Sequence, residues 1–433
     1  MLVAASVVLL AALLILILKS KFLPGNIMAM LPLAIALIIG TGFTETLTMA
    51  HEGIVDVAAV VVMFIFATVY FGVMSDVGLF EPIIGRLMRI KGVGKSIFSV
   101  VAVAALIAML AHLDGQGVTT LVVTVPPMLI VFDKLKIRRP LMALIFSTVV
   151  GCMNMLPWGG PVARAATVIN MDVMELYKQM VPVQLIGLVL SFGVLFLASR
   201  QEQKRGEFTP SSEVSFGQVE VSEASEQVQA LRRPKLFWFN LALTVVLLVL
   251  LFAGVPAHIG FIFGCAVALP VNYRSIKEQN ARIKAHAGNL LIAVYTIVGA
   301  GVLLGIMEGT GMFEALATAI VSIIPPALSN YVHIILGLLS TPLSFLLNTD
   351  AMIYGILPVA VNIGAQYGVS AVTIAAMIIS GRVIGAGLCI TTPSVYLGLG
   401  LMQIDYKDGF KLVFKWALLL GSILVLLSAL LVR

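Results

Sequence analysis

The chain has 433 residues, 60% of them hydrophobic and only 11% charged, where a soluble domain of this size carries about a quarter charged residues. Lipid is therefore the solvent for most of its surface, and the formal net charge of +6 reads as basic cytoplasmic loops, not as a nucleic-acid footprint. Cys152, Cys265 and Cys389 lie far apart in apolar stretches, with neither disulfide nor metal-ligand spacing, and read as small packing hydrophobes.

A helix needs about 20 apolar residues to cross the ~30 Å hydrocarbon core. That ruler places spans near 2–18, 25–42, 54–74, 140–168, 181–199, 236–253, 256–272, 288–307, 371–400 and 412–432. The first has its positive charges, Lys19 and Lys21, after it; with no basic segment before it, it reads as a retained span and not a cleaved signal. Two regions behave differently. In 96–132 and 331–363 an apolar arm runs into a polar break and a second apolar arm follows. Arms of about 15 residues reach only about 22 Å at 1.5 Å per residue, so these regions are expected to be re-entrant hairpins with tips at mid-membrane.

Residues 200–235 hold twelve of the 48 charged residues, six of each sign. This polar stretch reads as a flexible cytoplasmic linker. With the N-terminus outside, inward loops carry Lys19 and Lys21; Arg86, Arg89, Lys91 and Lys95; and Lys134, Lys136, Arg138 and Arg139. Later inward loops hold Lys204, Arg205, Arg232 and Arg233; Arg274, Lys277, Arg282 and Lys284; and Lys407 and Lys411. Outward loops carry Glu45, Glu52, Asp172 and Glu175. That asymmetry puts both termini outside, in a bacterial inner membrane.

Residues 1–199 and 236–433 each read as three spans, a hairpin, a broken span and a last span. Five crossings per half is odd, so the second half must be inverted. Asp114 to Pro157 and Asp350 to Pro393 are both 43 residues apart. The expected fold is an all-α polytopic membrane protein: about ten transmembrane helices plus two re-entrant hairpins in two inverted-topology repeats. Interrupted helices in corresponding positions point to a transporter's mid-membrane site.

Four breaks carry nearly all the intramembrane polarity. The first tip runs from His112 through Asp114, Gly115 and Gln116 to Thr119 and Thr120; the first broken span holds Asn154, Pro157, Trp158, Gly159, Gly160 and Arg164. The second tip holds Asn348, Thr349 and Asp350, followed by Tyr354; the second broken span holds Arg382, Thr391, Thr392, Pro393 and Ser394. Each break exposes backbone N–H groups at the start of a half-helix, where the dipole favours an anion. Irregular backbone at this depth is tolerated only where it lines a cavity or is buried in protein. The constellation suits a small, multiply charged solute: Thr and Asn side chains bind carboxylate oxygens, while Asp114 and Asp350 bind a hard cation or take up a proton.

Structural readings stand beside these. Asp114 and Asp350 also fit turn caps, although the cost of a carboxylate at this depth favours function. Arg164 and Arg382 fit charge partners of those aspartates, snorkelling side chains or substrate ligands. His112 fits an interior histidine or a proton relay. Trp158 and Tyr354 fit packing around the pocket.

At these residues the chain resembles the citrate–divalent metal:proton symporter family (CitMHS) of the ion transporter superfamily. The family's Leu-Asp-Gly-Asp-Gly and following threonines are matched by Leu113 to Thr120, with Gln116 in place of the second aspartate. Its Pro-Trp-Gly-Gly-Pro-Thr-Ala-Arg-Ala stretch is matched by Pro157 to Ala165, with Val162 in the threonine position. Its second tip is matched by Asn348 through Pro358. The resemblance implies a homodimer with a fixed scaffold and a moving domain that carries both hairpins, an elevator mechanism. It also implies uptake of citrate as its Mg²⁺ or Ca²⁺ complex together with protons, with no permanently bound cofactor. Gln116 removes one metal or proton ligand and so bears on stoichiometry and metal preference.

A sodium-coupled dicarboxylate carrier or a cation/proton exchanger of the same superfamily is the alternative within transport. An intramembrane enzyme would need a nucleophile–base pair or a metal motif, and the chain has neither His-Glu-x-x-His nor Gly-x-Ser-x-Gly. A channel fits less well, because hairpins and inverted broken helices suit alternating access.

Overall fold

The computed structural model describes residues 1–19, 22–90, 93–211, 226–325, 328 and 331–432. Lys21, Lys91 and the middle of the expected linker, 212–225, lie outside the described residues. All regular secondary structure described is helical.

The first half comprises α1 (Leu2–Lys19), α2 (Pro24–Ile38), α3 (Phe43–Asp76) and the short α4 (Glu81–Met88). The hairpin arms follow as α5 (Ile97–Ala111) and α6 (Gly117–Lys134). The broken span consists of α7 (Pro140–Ile145), a π-helical stretch Phe146–Val150, α8 (Gly151–Met153) and, after a non-helical break, α9 (Gly160–Val168); α10 (Val173–Gln203) closes the half. After α11 (Glu226–Leu231), the second half repeats the series as α12 (Phe237–Phe252), α13 (Ala257–Asn272), α14 (Ile276–Gly309) and α15 (Met312–Ile323). The second hairpin is α16 (Val332–Leu343), a π-helical stretch Ala351–Ile356 and α17 (Leu357–Gln366). The second broken span is α18 (Ala371–Gly385) and α19 (Pro393–Met402), and α20 (Tyr406–Leu431) ends the chain.

Equivalent helices start 233 positions apart: 24 and 257, 43 and 276, 160 and 393, 173 and 406. By that register Asp350 corresponds to Gly117 and Pro393 to Gly160, three residues from the landmarks read in the sequence. Both landmarks slip by the same three residues, so the equal spacing persisted. The inversion is visible in the packing of the equivalent helices α3 and α14. Along α3, Met49, Gly53, Gly72 and Asp76 meet Gly309, Gly305, His286 and Arg282 of α14 in turn. The two helices are therefore antiparallel over their whole length. Their contact is close: a Cβ on Gly53 would run into the Gly301 carbonyl oxygen. Gly301, Gly305 and Gly309 form one small-residue stripe at helical spacing, the device by which helices in lipid gain van der Waals contact.

Eight described helical stretches are long and apolar enough to cross a membrane, both arms of the first hairpin among them; α1, α2 and α13 are shorter apolar helices. Several helices outrun the hydropathy reading. The third span begins at Phe43 and not near 54, the fifth at Val173 and not 181, the eighth at Ile276 and not 288, and the last at Tyr406 and not 412. Hydropathy measures lipid contact, whereas caps set where a helix starts. Asp172 accepts from the Met174 amide at 2.8 Å. Ser275 and Glu278 form a reciprocal capping box, with the Glu278 amide 3.1 Å from the Ser275 hydroxyl. The short helices α4 and α15 fell below the spanning length. The start of the first broken span is tied to the end of α10 by Arg138, whose Nε lies 2.6 Å from the buried Glu202 carboxylate.

Candidate functional site

Each hairpin ends in a turn that its sequence forces. The arm α5 tightens into a 3-10 turn at His112–Asp114, and Gly115 follows with φ +72°, a left-handed conformation that favours glycine. The Asp114 carboxylate folds back to accept from the Gln116 amide at 2.8 Å. At the second tip the Asn348 side chain accepts from the Ala351 amide at 2.9 Å. The second broken span is held to that tip by backbone, with the Ile390 amide donating to the Phe345 carbonyl at 2.9 Å.

The four breaks meet. A cavity of about 260 Å³ lies between them. The starts of all four half-helices face it: Gly117 of α6, Gly160 and Pro161 of α9, Thr349 ahead of the π-helical stretch of the second hairpin, and Thr392 and Ser394 of α19. Helix N-termini present uncompensated N–H groups and positive dipole ends, so the cavity is electropositive without any net charge on its backbone. Arg382, buried on α18, also lines it and donates through its guanidinium to the Thr349 hydroxyl. The wall continues past Leu121, Leu399 and Met402 toward the helix ends that carry Lys134, Arg138 and Arg139.

The expected residues are not all placed alike. His112, Gly115, Asn154, Gly160, Thr349, Thr392 and Ser394 line the cavity. His112 is fully buried; Nδ1 lies 2.8 Å from the Thr120 hydroxyl and Nε2 3.1 Å from the Asn154 side-chain oxygen. The Thr120 hydroxyl also lies 2.9 Å from the Gln116 carbonyl. The ring thus clamps the first tip to the first broken span. Trp158 lies behind the tip: its indole donates to the Leu113 carbonyl at 2.9 Å and its ring sits 4.6 Å from that of Phe71. Gly159 caps α9.

The two aspartates are not part of the cavity lining. Asp114 is buried against its own turn, and Asp350 pairs with Arg164 of the other half at 2.9 Å. Thr119 points to the exposed side, and Thr391 donates to the Leu346 carbonyl as a strut of the second tip. Among the described residues no group of three or more His, Cys, Asp or Glu side chains is arranged to hold a metal ion. Arg382, which the sequence left as an aspartate partner, a snorkelling side chain or a substrate ligand, is placed on the cavity by the fold. One feature escaped the sequence reading. The π-helical stretches Phe146–Val150 and Ala351–Ile356 flank the breaks, a placement that such bulges often have at functional sites, yet their residues carry no distinguishing pattern.

Comparison with known proteins agrees with this geometry. The chain is 37% identical over 397 residues to the Mg(2+)/citrate complex secondary transporter of Bacillus subtilis (strain 168), covering 90% of this chain and 88% of that protein. It is 34% identical over 403 residues to the citrate transporter of the same organism, covering 92% and 91%. The crystal structure of the Alcanivorax borkumensis YdaH transporter shares the fold, with a TM-score of 0.64, 16% identity and 98% of each chain covered. The citrate transporter profile CitMHS matches residues 11–381, and the chain belongs to that family.

Proposed function

We propose that the protein is a secondary transporter that takes up citrate as a divalent-metal complex together with protons. The observation that carries this reading is the convergence of four half-helix N-termini and Arg382 on one cavity. That arrangement supplies donors for a polyanion in every direction and no matched carboxylate wall for a bare cation. Citrate brings several carboxylates, and Thr349, Thr392, Ser394 and Asn154 add hydroxyl and amide groups. Arg382 supplies a planar fork suited to a carboxylate. Mg²⁺ and Ca²⁺ need six or more oxygen ligands. With few acidic side chains at the site, the ion arrives with citrate as its main ligand, and Asp114 or Asp350 contributes at most the remaining positions. Both aspartates, with His112, are also the groups proposed to exchange protons at the tips.

Both hairpins and both broken spans enclose the same cavity, so they are suited to move as one body against the rest of the protein. An elevator-type movement within a homodimer belongs to this reading and is supported by family membership. The basic loop Lys134, Lys136, Arg138 and Arg139 beside the mouth beyond Met402 supports a cytoplasmic opening, an inner-membrane location and termini outside. The division into 1–199, 200–235 and 236–433 belongs to the same reading and is supported by the 233-residue register of the helix starts, although α10 runs on to Gln203.

The test is uptake of radiolabelled citrate into proteoliposomes under an imposed proton gradient, with Mg²⁺, Ca²⁺ or EDTA. Uptake that requires the gradient and one of the metals is the expected result. Gradient-driven uptake indifferent to metal would instead support transport of the free carboxylate, a second reading favoured by Gln116 at the tip position where the family has aspartate. Uptake that collapses without sodium and ignores a protonophore would replace proton coupling altogether.

A further inference from the structure

Outside the cavity, one cluster of titratable side chains is not used by the site described above. His286 of α14 lies over Gly72 of α3, where any Cβ would strike the imidazole ring. Its Nε2 is 2.8 Å from the Asp76 carboxylate, and Arg282 Nη1 reaches the same oxygen at 3.4 Å. The three side chains retain 18–21% exposure, enough for water to reach them. They sit near the ends of α3 and α14, on the side carrying Arg86, Arg89, Lys277 and Lys284. Asp76 is the last residue of α3, and His286 precedes the apolar stretch Leu290–Gly309.

A chain of contacts runs from beside the cluster to the first tip. Phe71, next to Gly72, packs on Trp158, whose indole holds the Leu113 carbonyl beside Asp114. The other charged groups around the cluster are known. Arg233, stacked on Tyr273, and Glu278 share its field with Asp76 and Arg282. An imidazole between a carboxylate and a wet surface is the side chain best suited to gain and lose a proton in the physiological range.

We propose that the Asp76–His286 pair is a proton-binding station of this carrier, and that its charge state is linked to loading at the first tip. The proposal rests on the proton-coupled reading above and adds to it a site, on α3 and α14, outside the four breaks. Protonation adds a positive charge beside Asp76 at the packed ends of α3 and α14; release removes it. Linkage is reciprocal, so substrate loading at the tip must change proton occupancy of the pair.

The experiment compares wild type with His286→Gln and Asp76→Asn in proteoliposomes, using Mg²⁺–citrate throughout. Two rates are measured: counterflow exchange of labelled for unlabelled citrate without a proton gradient, and uptake driven by an imposed gradient. Citrate-induced proton uptake or release is read in parallel from a pH indicator on the purified protein. The expected result is near-normal counterflow in His286→Gln, with gradient stimulation reduced about tenfold or more. The pH profile of driven uptake should flatten relative to wild type, and the proton signal should shrink. Wild-type gradient stimulation and pH profile in both variants would overturn the proposal. Equal loss of counterflow and driven uptake, with no change in the proton signal per citrate bound, would assign the pair a structural role and also overturn it. Wild-type uptake that ignores the gradient while counterflow persists would remove the underlying proton-coupled reading instead.

Discussion

Arg164 and Asp350, 186 positions apart in sequence, meet at 2.9 Å and join the first broken span to the second hairpin tip. The pair ties the two halves together at the depth where the helices are interrupted. The Arg164 guanidinium also donates to the Gly160 carbonyl at 3.1 Å, so it braces the start of α9 as well.

Breaking this pair from one side leaves the other charge stranded. The Asp350→Asn variant is expected to lose about 3 kcal/mol, the lower end for a buried pair, because Arg164 and Asp350 keep 13% and 17% exposure. Thermal unfolding in detergent reads the loss. Uptake should fall to background in Asp350→Asn and in the double variant with Arg164→Gln. The double variant should recover part of the stability. Full transport in the double variant would show that the pair has no part beyond scaffolding.

Arg382 separates from Arg164 in its expected behaviour, since it has no carboxylate partner among the described ion pairs and lines the cavity. Replacement by Lys keeps the charge and removes the planar fork, so KM for citrate is expected to rise about tenfold with little change in maximal rate. Replacement by Gln should take uptake close to background. Initial rates across a citrate concentration series distinguish these outcomes, and an unchanged KM in Arg382→Lys would remove the residue from substrate binding.

The first tip bears on metal use. Asp114→Asn preserves shape and removes charge, and is expected to abolish uptake or uncouple it from the proton gradient while the protein still reaches the membrane. Gln116→Asp adds a carboxylate next to the cavity and should shift the Mg²⁺ or Ca²⁺ dependence, or the pH dependence, of uptake. Metal and pH titrations that superimpose on wild type would make position 116 neutral.

The α3–α14 contact gives a test away from the cavity. Gly53→Ala forces a methyl group into the Gly301 carbonyl, and overpacking of this kind costs about 1–3 kcal/mol. Gly85→Ala on α4 is the control, because nothing lies within 4 Å of the added carbon. Melting temperatures in detergent should fall for the first and hold for the second.

The amino-acid sequence by itself determined the solvent, the repeat and the breaks. Apolar runs near the thickness of a bilayer, Lys and Arg on alternate loops, and Gly, Pro, Asn, Asp and Thr clustered inside apolar stretches are local quantities, so they are legible without a fold. The caps that lengthen α10 and α14 were less legible, because a helix continues past the lipid wherever its end groups are satisfied, and α3 and α20 start early without a side-chain cap. Only the tertiary structure decided which polar groups face the cavity. Asp114 and Asp350 looked like its walls, yet one carboxylate is folded onto the Gln116 amide and the other is taken by Arg164. Arg382, on the equally polar opposite break, was left to line the space. His286 and Asp76, 210 positions apart, meet only because two equivalent helices run antiparallel along a glycine stripe. A pairing over that distance depends on how whole helices pack, and no stretch of sequence encodes it locally.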